Sequence, residues 1–320
     1  MNIHDIETFV SIAQLRGVTL AAGRLHRSQP AITRRIKLLE DVLGAPLLER
    51  GRGGSNLTEV GRTFLPYAEA VLATLKDGVQ AVQALQREEH GEVSLAIVGT
   101  LAGTTIVEQL RRFSDRHKDG RLELRAGTSF EVSDMVRRGE VSLGLRYFDD
   151  PSPQLFSQKI SEEVMVVACS PRHMWAGKRL LDPKQLCKNR WVGFPMTRNR
   201  QDSFAHLLRR QLASVQLDDT PIMPIDSLTA QKRLVEAGIA LALLPESSIQ
   251  EELRLGALSV ISVPGLQTVL PIHVVYRKNG YLNGAARALL SLISASPVRP
   301  AAAAARQGRK SSRRRRARSA

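Results

Sequence analysis

"SQPAITRRIKLLEDVLG", residues 28–44, places a proline near the head of a segment that otherwise repeats as a strong amphipathic helix. Ile32, Ile36, Leu39 and Leu43 fall at i, i+4, i+7 and i+11 and make one apolar stripe, while Gln29, Thr33, Arg34 and Lys37 lie largely off it. One face packs and the other is free to touch a partner. Pro30 sits in the first turn, where its missing N–H costs nothing, and Ser28 is placed to cap orphan N–H groups with its hydroxyl. The start of this helix is therefore sharply fixed.

Toward the N-terminus, Ile6, Phe9, Val10 and Ala13 predict a first helix ending near Gly17, and Thr19 is placed to cap a second that runs through Leu25. "HRS" makes the tight turn into the quoted helix, which Ala21 and Ala22 allow to approach closely. Beyond Gly44, "APLLERGRGGSNLT" has a short apolar run, a glycine-rich tip and a return through Leu57, the pattern of a β-hairpin wing carrying Arg50 and Arg52. From Thr58 to about Glu89 the pattern becomes one long helix, with Phe64, Ala68, Val71, Leu75, Val79, Val82 and Leu85 at near-heptad spacing. That spacing implies a partner helix, most simply its counterpart in a second subunit; packing on its own domain is the alternative.

After "EEHGE" the style changes to strands alternating with helices. Residues 92–98, 121–127, 140–147, 163–170, 239–246 and 270–277 read as strands, with amphipathic helices at 104–116, 129–138, 227–237 and 282–294. Such alternation predicts an α/β domain with ligands at the C-terminal ends of strands. No GxGxxG, Walker A or zinc-type spacing appears, nor a catalytic triad, so no enzyme, cofactor or metal is expected. Cys169 and Cys187 sit in no metal-ligand spacing and read as structural.

The net charge of +15 over 320 residues favours a polyanionic partner. It is unevenly placed: residues 297–320 hold nine Arg or Lys and no acid, and read as a disordered basic tail. No apolar run approaches a bilayer span and the N-terminus lacks the order of a signal peptide, so a cytoplasmic location without membrane contact is expected.

The first sixty-five residues resemble the DNA-binding domain of LysR-type transcriptional regulators. The resemblance rests on the Ala21–Ala22 pair, "SQPA" from Ser28, the I-x-x-LE-x-x-LG seam from Ile36 to Gly44, the "PLLER" step and the "LTEVG" that opens the long helix. The glycine-rich wing tip and the arginine-rich tail depart from the family's pattern. The resemblance implies an α/β protein with a winged helix-turn-helix domain over residues 1–58, a linker and dimerisation helix over 59–90, and an effector-binding domain over 91–296. The last is similar to type II periplasmic binding proteins, with subdomain I at about 91–161 and 269–296 and subdomain II at about 162–268.

A helix that enters the major groove must begin at a fixed place, or its side chains meet the wrong base edges. Gln29, Pro30, Thr33 and Arg34 are accordingly expected at bases, and Lys37, Arg50 and Arg52 at the backbone of double-stranded promoter DNA, with Ser28, which sets the helix start, counted among the DNA-binding residues. The resemblance further implies an effector cleft lined by Thr100, Leu101, Thr128, Ser129, Arg146, Phe194, Met196, Arg198 and Ser227. Hydroxyls and N–H groups at helix starts and an arginine at a strand end suit a small organic acid. Arg146 reads equally as a structural ion-pair partner, and Met196 more readily as packing. The expected assembly is a homodimer through the linker helix and a homotetramer built from it. The alternative is a small-molecule-binding or enzymatic α/β domain that uses the N-terminal helices only for assembly.

Overall fold

The structure, a computed structural model, describes residues 1–51, 54–86, 92–103, 106–118, 120–196 and 204–295. Three helices, α1 (Ile3–Leu15), α2 (Val18–Arg24) and α3 (Gln29–Leu43), precede the hairpin of β1 (Leu48–Gly51) and β2 (Gly54–Leu57) and the long α4 (Glu59–Gln86). Then follow β3 (Val93–Val98), α5 (Ile106–Arg116), β4 (Leu122–Gly127), α6 (Ser129–Arg137), β5 (Leu143–Tyr147), β6 (Leu155–Cys169), β7 (Trp191–Gly193) and α7 (Phe204–Ser214). The chain continues through β8 (Ile222–Pro224), α8 (Leu228–Glu236), β9 (Leu241–Pro245), α9 (Gln250–Leu255), β10 (Ser259–Ile261), β11 (Thr268–Arg277) and α10 (Gly284–Ala295). Short 3-10 turns occupy Gly99–Gly103, Pro183–Leu186 and Glu246–Ile249.

The apolar stripe of α3 lands where its period directs it. Ile32, Ile36 and Leu39 are buried with Phe9 and Ile12 of α1, Ala21 and Ala22 of α2, Leu47, and Ala68 of α4. The turn between α2 and α3 closes by left-handed His26 (φ 51°), with the Arg27 N–H donating to the Ala22 carbonyl at 3.0 Å. Two side chains tie the wing to the helices. Glu40 of α3 accepts from the N–H groups of Leu47 and Leu48 at 2.7 and 3.2 Å. Thr58 caps α4 by accepting from the Gly61 N–H at 3.0 Å while its hydroxyl donates to the Pro46 carbonyl at 2.7 Å. These bonds give the "LE", "PLLER" and "LTEVG" stretches a physical role.

Two capping expectations fail. Gly17, not Thr19, is the N-cap residue of α2, and Thr19 lies inside the helix. Ser28 is the N-cap residue of α3 but its hydroxyl makes no capping bond, so Pro30 and the helical carbonyl ladder define that start without it. The Ser28 side chain is left facing solvent.

In the second domain, described strands form one mixed sheet in the order β4-β3-β5-β11-β6-β9-β7-β8, with β10 also on β6. Two long antiparallel strands connect its halves. β11 pairs with β5 through Ile272–Val275 on one side and with β6 from Leu155 to Met165 on the other, with a register shift between Ile272 and His273. Past that stretch β6 pairs with β9 and β10. Alternate β6 residues point to opposite faces: Met165, Val167 and Cys169 join the main core, whereas Val166 and Ala168 pack with Val235 and Leu244. The strand expected at 163–170 thus begins earlier, at Leu155, and that expected at 140–147 begins later, at Leu143. Cys169 is buried and its thiol is pushed up to about 11 by burial, whereas Cys187 is exposed.

Gly61 sets a testable constraint. A Cβ there would lie 2.1 Å from the Leu47 carbonyl oxygen, backbone that cannot swing aside. Gly61→Ala should therefore lower stability by about 1–3 kcal/mol through overpacking, although helix propensity alone favours Ala by ~1 kcal/mol. Gly23→Ala, also helical but with nothing within 4 Å of the new Cβ, should gain up to ~1 kcal/mol. Thermal unfolding followed by circular dichroism reads both, and a rise for both would show that the Leu47 contact does not constrain the wing.

Candidate nucleic-acid interface and effector cleft

At the start of α3, Gln29, Pro30, Thr33, Arg34 and Lys37 are all exposed and together line one shallow surface depression. The Thr33 hydroxyl donates to the Gln29 carbonyl at 3.0 Å, which fixes its rotamer and leaves its lone pairs outward. Adjacent arginines are put to different use. Arg35 pairs with the buried Asp5 carboxylate of α1 at 3.3 Å, so it holds α3 against α1. Arg34 is exposed and has no hydrogen bond or ion pair among the described residues. Its guanidinium keeps its full fork of donors for an external acceptor. Arg50 lies in β1, opposite Ser55; its side chain, and the whole of Arg52, fall outside the described residues.

The expected effector residues separate into three groups. Thr100 stands in the 3-10 turn after β3, buried, and donates to the Tyr147 hydroxyl at 3.3 Å. Tyr147 ends β5, meets Phe204 edge-on at 4.9 Å, and its hydroxyl is held protonated by burial and by the nearby Glu163 carboxylate. Phe194, half-buried, faces the same Phe204 at 5.6 Å. Glu163, on β6, accepts from the Ser247 N–H at 3.3 Å and from its hydroxyl, and burial raises its own pKa. Thr100, Tyr147, Phe194 and Phe204 thus come together with Glu163 close by, and Tyr147 and Glu163 were absent from the sequence reading.

A second group is committed to the fold. Arg146 is 3% exposed. Its guanidinium donates to Ser133 at 2.7 Å, to the Tyr147 carbonyl at 3.1 Å and to the carboxylate of Asp150, with which it forms a buried ion pair. The structural alternative for Arg146 is therefore the one observed, and a free carboxylate anchor is not. Leu101 is fully buried in the main core. Thr128 and Glu131 form a capping box at the head of α6, which satisfies their own two N–H groups and puts a carboxylate where an anion was expected. Ser129 is buried behind it. Ser227 caps α8 by accepting from Ala230 at 3.3 Å.

The third group lies toward β7 and β8. Met196 is 47% exposed and, with Phe194, Pro195, Leu208, Arg209 and Ile222, lines a separate small pocket. Arg198 falls outside the described residues. Among the described residues no group of His, Cys, Asp or Glu is arranged to hold a metal ion, and no helix is long and apolar enough to cross a membrane.

Two family models match the chain: the bacterial regulatory helix-turn-helix protein of the lysR family over residues 3–62, and the LysR substrate binding domain over residues 86–297. The regulator CfxR of Cupriavidus necator is 27% identical over 89% of this chain and 88% of its own length. CbnR, a LysR family transcriptional regulator solved both free and with its target DNA, is 25% identical; the free form superposes with a TM-score of 0.61 over 92% of this chain and 98% of that one. Full-length OxyR from Pseudomonas aeruginosa, 18% identical, shares the fold with a TM-score of 0.65 over 92% of this chain and 94% of that one. A helix-turn-helix with an open reading face, joined by one long helix to a two-halved α/β domain, makes this chain a member of the LysR family of DNA-binding transcriptional regulators with an effector-binding domain.

Proposed function

We propose that the chain reads a promoter with the head of α3 and changes its grip when a small organic acid enters the cleft beside Thr100 and Tyr147. The observation that carries the DNA reading is the contrast between Arg34, exposed and unspent, and Arg35, tied to Asp5. Gln29, Pro30, Thr33 and Arg34 then meet base edges, while Ser28, Lys37, Arg50 and Arg52 meet phosphates. The solvent-facing hydroxyl of Ser28, unused in capping, supports its place among the phosphate contacts.

The assembly we infer is a dimer through α4, two of which make a tetramer. Tyr67, Val71, Leu75, Val79 and Val82 are each between 46% and 66% exposed on that helix and line a long apolar groove with Ile3. An apolar stripe of this length is the surface that a coiled-coil partner covers. The organic-acid reading is supported by the Tyr147 hydroxyl, which accepts from Thr100 and keeps its own proton to donate. A ligand carboxylate is the acceptor that suits this donor.

Arg34→Ala should remove sequence preference and leave the fold intact, costing ~1–3 kcal/mol of discrimination between the protein's own upstream DNA and random DNA. Equal losses on both in a gel-shift titration would make Arg34 a phosphate contact. Leu75→Asp places like charges opposite each other in a desolvated seam and should give monomers with weak DNA affinity; a dimer that persists in sedimentation would move the interface elsewhere. Tyr147→Phe keeps the ring on Phe204 and removes the donor. DNA affinity should stay at the wild-type level, while the footprint change produced by a responsive organic acid should need roughly tenfold more of it, the equivalent of a charge-assisted hydrogen bond of about 1.5 kcal/mol. An unaltered dose response would exclude the phenol from the effector site.

A further inference from the structure

We propose that the surface segment over residues 171–190, at the β10 edge of the effector domain, is a second DNA-binding surface that grips phosphates alongside the site read by α3. It carries six Lys or Arg, namely Arg172, Lys178, Arg179, Lys184, Lys188 and Arg190, against one acid, Asp182. All six are exposed, and none has an ion pair among the described residues. Four arginines of the α5 and α6 region are neutralised at home instead. Arg111 and Arg112 share Glu108, Arg137 pairs with Asp134, and Arg138 with Glu69 and Asp134. Like charges left this dense repel one another and persist most comfortably where a polyanion relieves them.

The segment is held as a fixed platform. Gly177 N–H donates to Val260 at 3.0 Å, Leu180 N–H to Ser262 at 2.9 Å and Ser262 N–H to Lys178 at 3.0 Å, which pins it to the β10 edge. The His173 ring contacts Asn189 at 3.1 Å and the Trp175 N–H at 3.3 Å, and burial lowers its pKa, so it serves as an internal strut. Asp182 spends its carboxylate on the Lys184 N–H at 3.0 Å. Exposed Met174 and Leu181 are single aliphatics of a kind ordinary on any surface, so charge decides the partner. DNA is the polyanion this regulator already meets, and a cationic surface on the effector domain gives that domain a direct hold on the flanking duplex.

The test combines Arg172→Gln, Arg179→Gln, Lys184→Gln and Lys188→Gln in the full chain, and measures affinity across a salt series for a duplex of its own upstream region and for a random duplex of equal length. Each lost phosphate contact should flatten the log–log salt slope by about 0.9, so four should flatten it by roughly 3 to 4 on both duplexes, with the preference for the upstream region retained. An unchanged slope overturns the proposal and leaves an acidic protein surface as the partner to seek. A control with Arg111→Gln and Arg112→Gln should leave the slope as in wild type; equal flattening there would reduce the effect to bulk charge and also overturn the proposal. Should the fourfold variant unfold early by circular dichroism, the four single variants give the same reading, each expected to shift the slope by about 0.9.

Discussion

Asp77 is an acid on the long helix between the two domains, and its burial ties the DNA-reading half of the chain to the effector half. It is 7% exposed, receives the Arg277 guanidinium at 2.6 Å and accepts from the Tyr281 N–H at 3.1 Å. Lys76 donates to the Gly139 carbonyl at 2.6 Å, and Arg138 reaches back to Glu69 at 2.8 Å, whose pKa burial raises and Arg138 lowers. Pairs like these are costly to bury and add little adhesion, but a mispaired register would strand a charge, so they fix where α4 sits more than how tightly. Arg277 is the last residue of β11, one of the two strands that run through both halves of the effector sheet. One continuous strand therefore joins the effector sheet to the linker helix through Arg277 and Asp77.

The same helix must present its other flank to solvent. Its apolar series divides: Ala68 is buried and Phe64 half-buried in the helix-turn-helix core, whereas Val71, Leu75, Val79, Val82 and Leu85 are exposed. One periodic stripe thus does two jobs in succession, first seating the DNA-binding domain and then running on uncovered. The charged residues that meet the effector domain lie between the stripe positions, so the heptad pattern and the polar clamp do not compete for the same surface.

The N-terminal domain was legible in the sequence because its determinants are local. Helical periodicity, small residues at a close crossing, a fixed start and a glycine-bearing stop each act within a few residues, and the hairpin wing follows from turn chemistry. What failed there was finer: Ser28 has a capping side chain that does not cap, since residue type does not fix a rotamer. In the effector domain the long alternating strands were readable, but β7 and β8 were not, being three-residue strands too short for a period to show. Arg146 illustrates the harder limit. A strand-end arginine looks like a ligand anchor until its partner is known, and the partner was nearby in "RYFDD", where Asp150 follows four residues on. Tyr147 and Glu163 were missed because each reads as one more strand residue; only the fold brings the phenol to Thr100 and the carboxylate to Ser247.

Those distant pairs also lie at the one place where the two halves of the effector domain are tied together. The 3-10 turn that carries Thr100 ends at Gly103, where a Cβ would come within 2.9 Å of the Ser248 Cα, so the two halves touch there backbone to backbone. Ser248 follows the serine that Glu163 holds, and Glu163 lies in β6 opposite Leu270 of β11, near the point where the register of those strands shifts. The seam, the acid and the irregularity in the strands are consecutive links, each made of groups with little room to adjust singly. A ligand that binds one arrangement of the halves better than another shifts their balance by the difference in its affinities, and by nothing more. Packed contacts of this kind switch between arrangements more readily than they stretch, and β11, which pairs with β6 at this seam, ends at Arg277, the ion-pair partner of Asp77 on the linker helix.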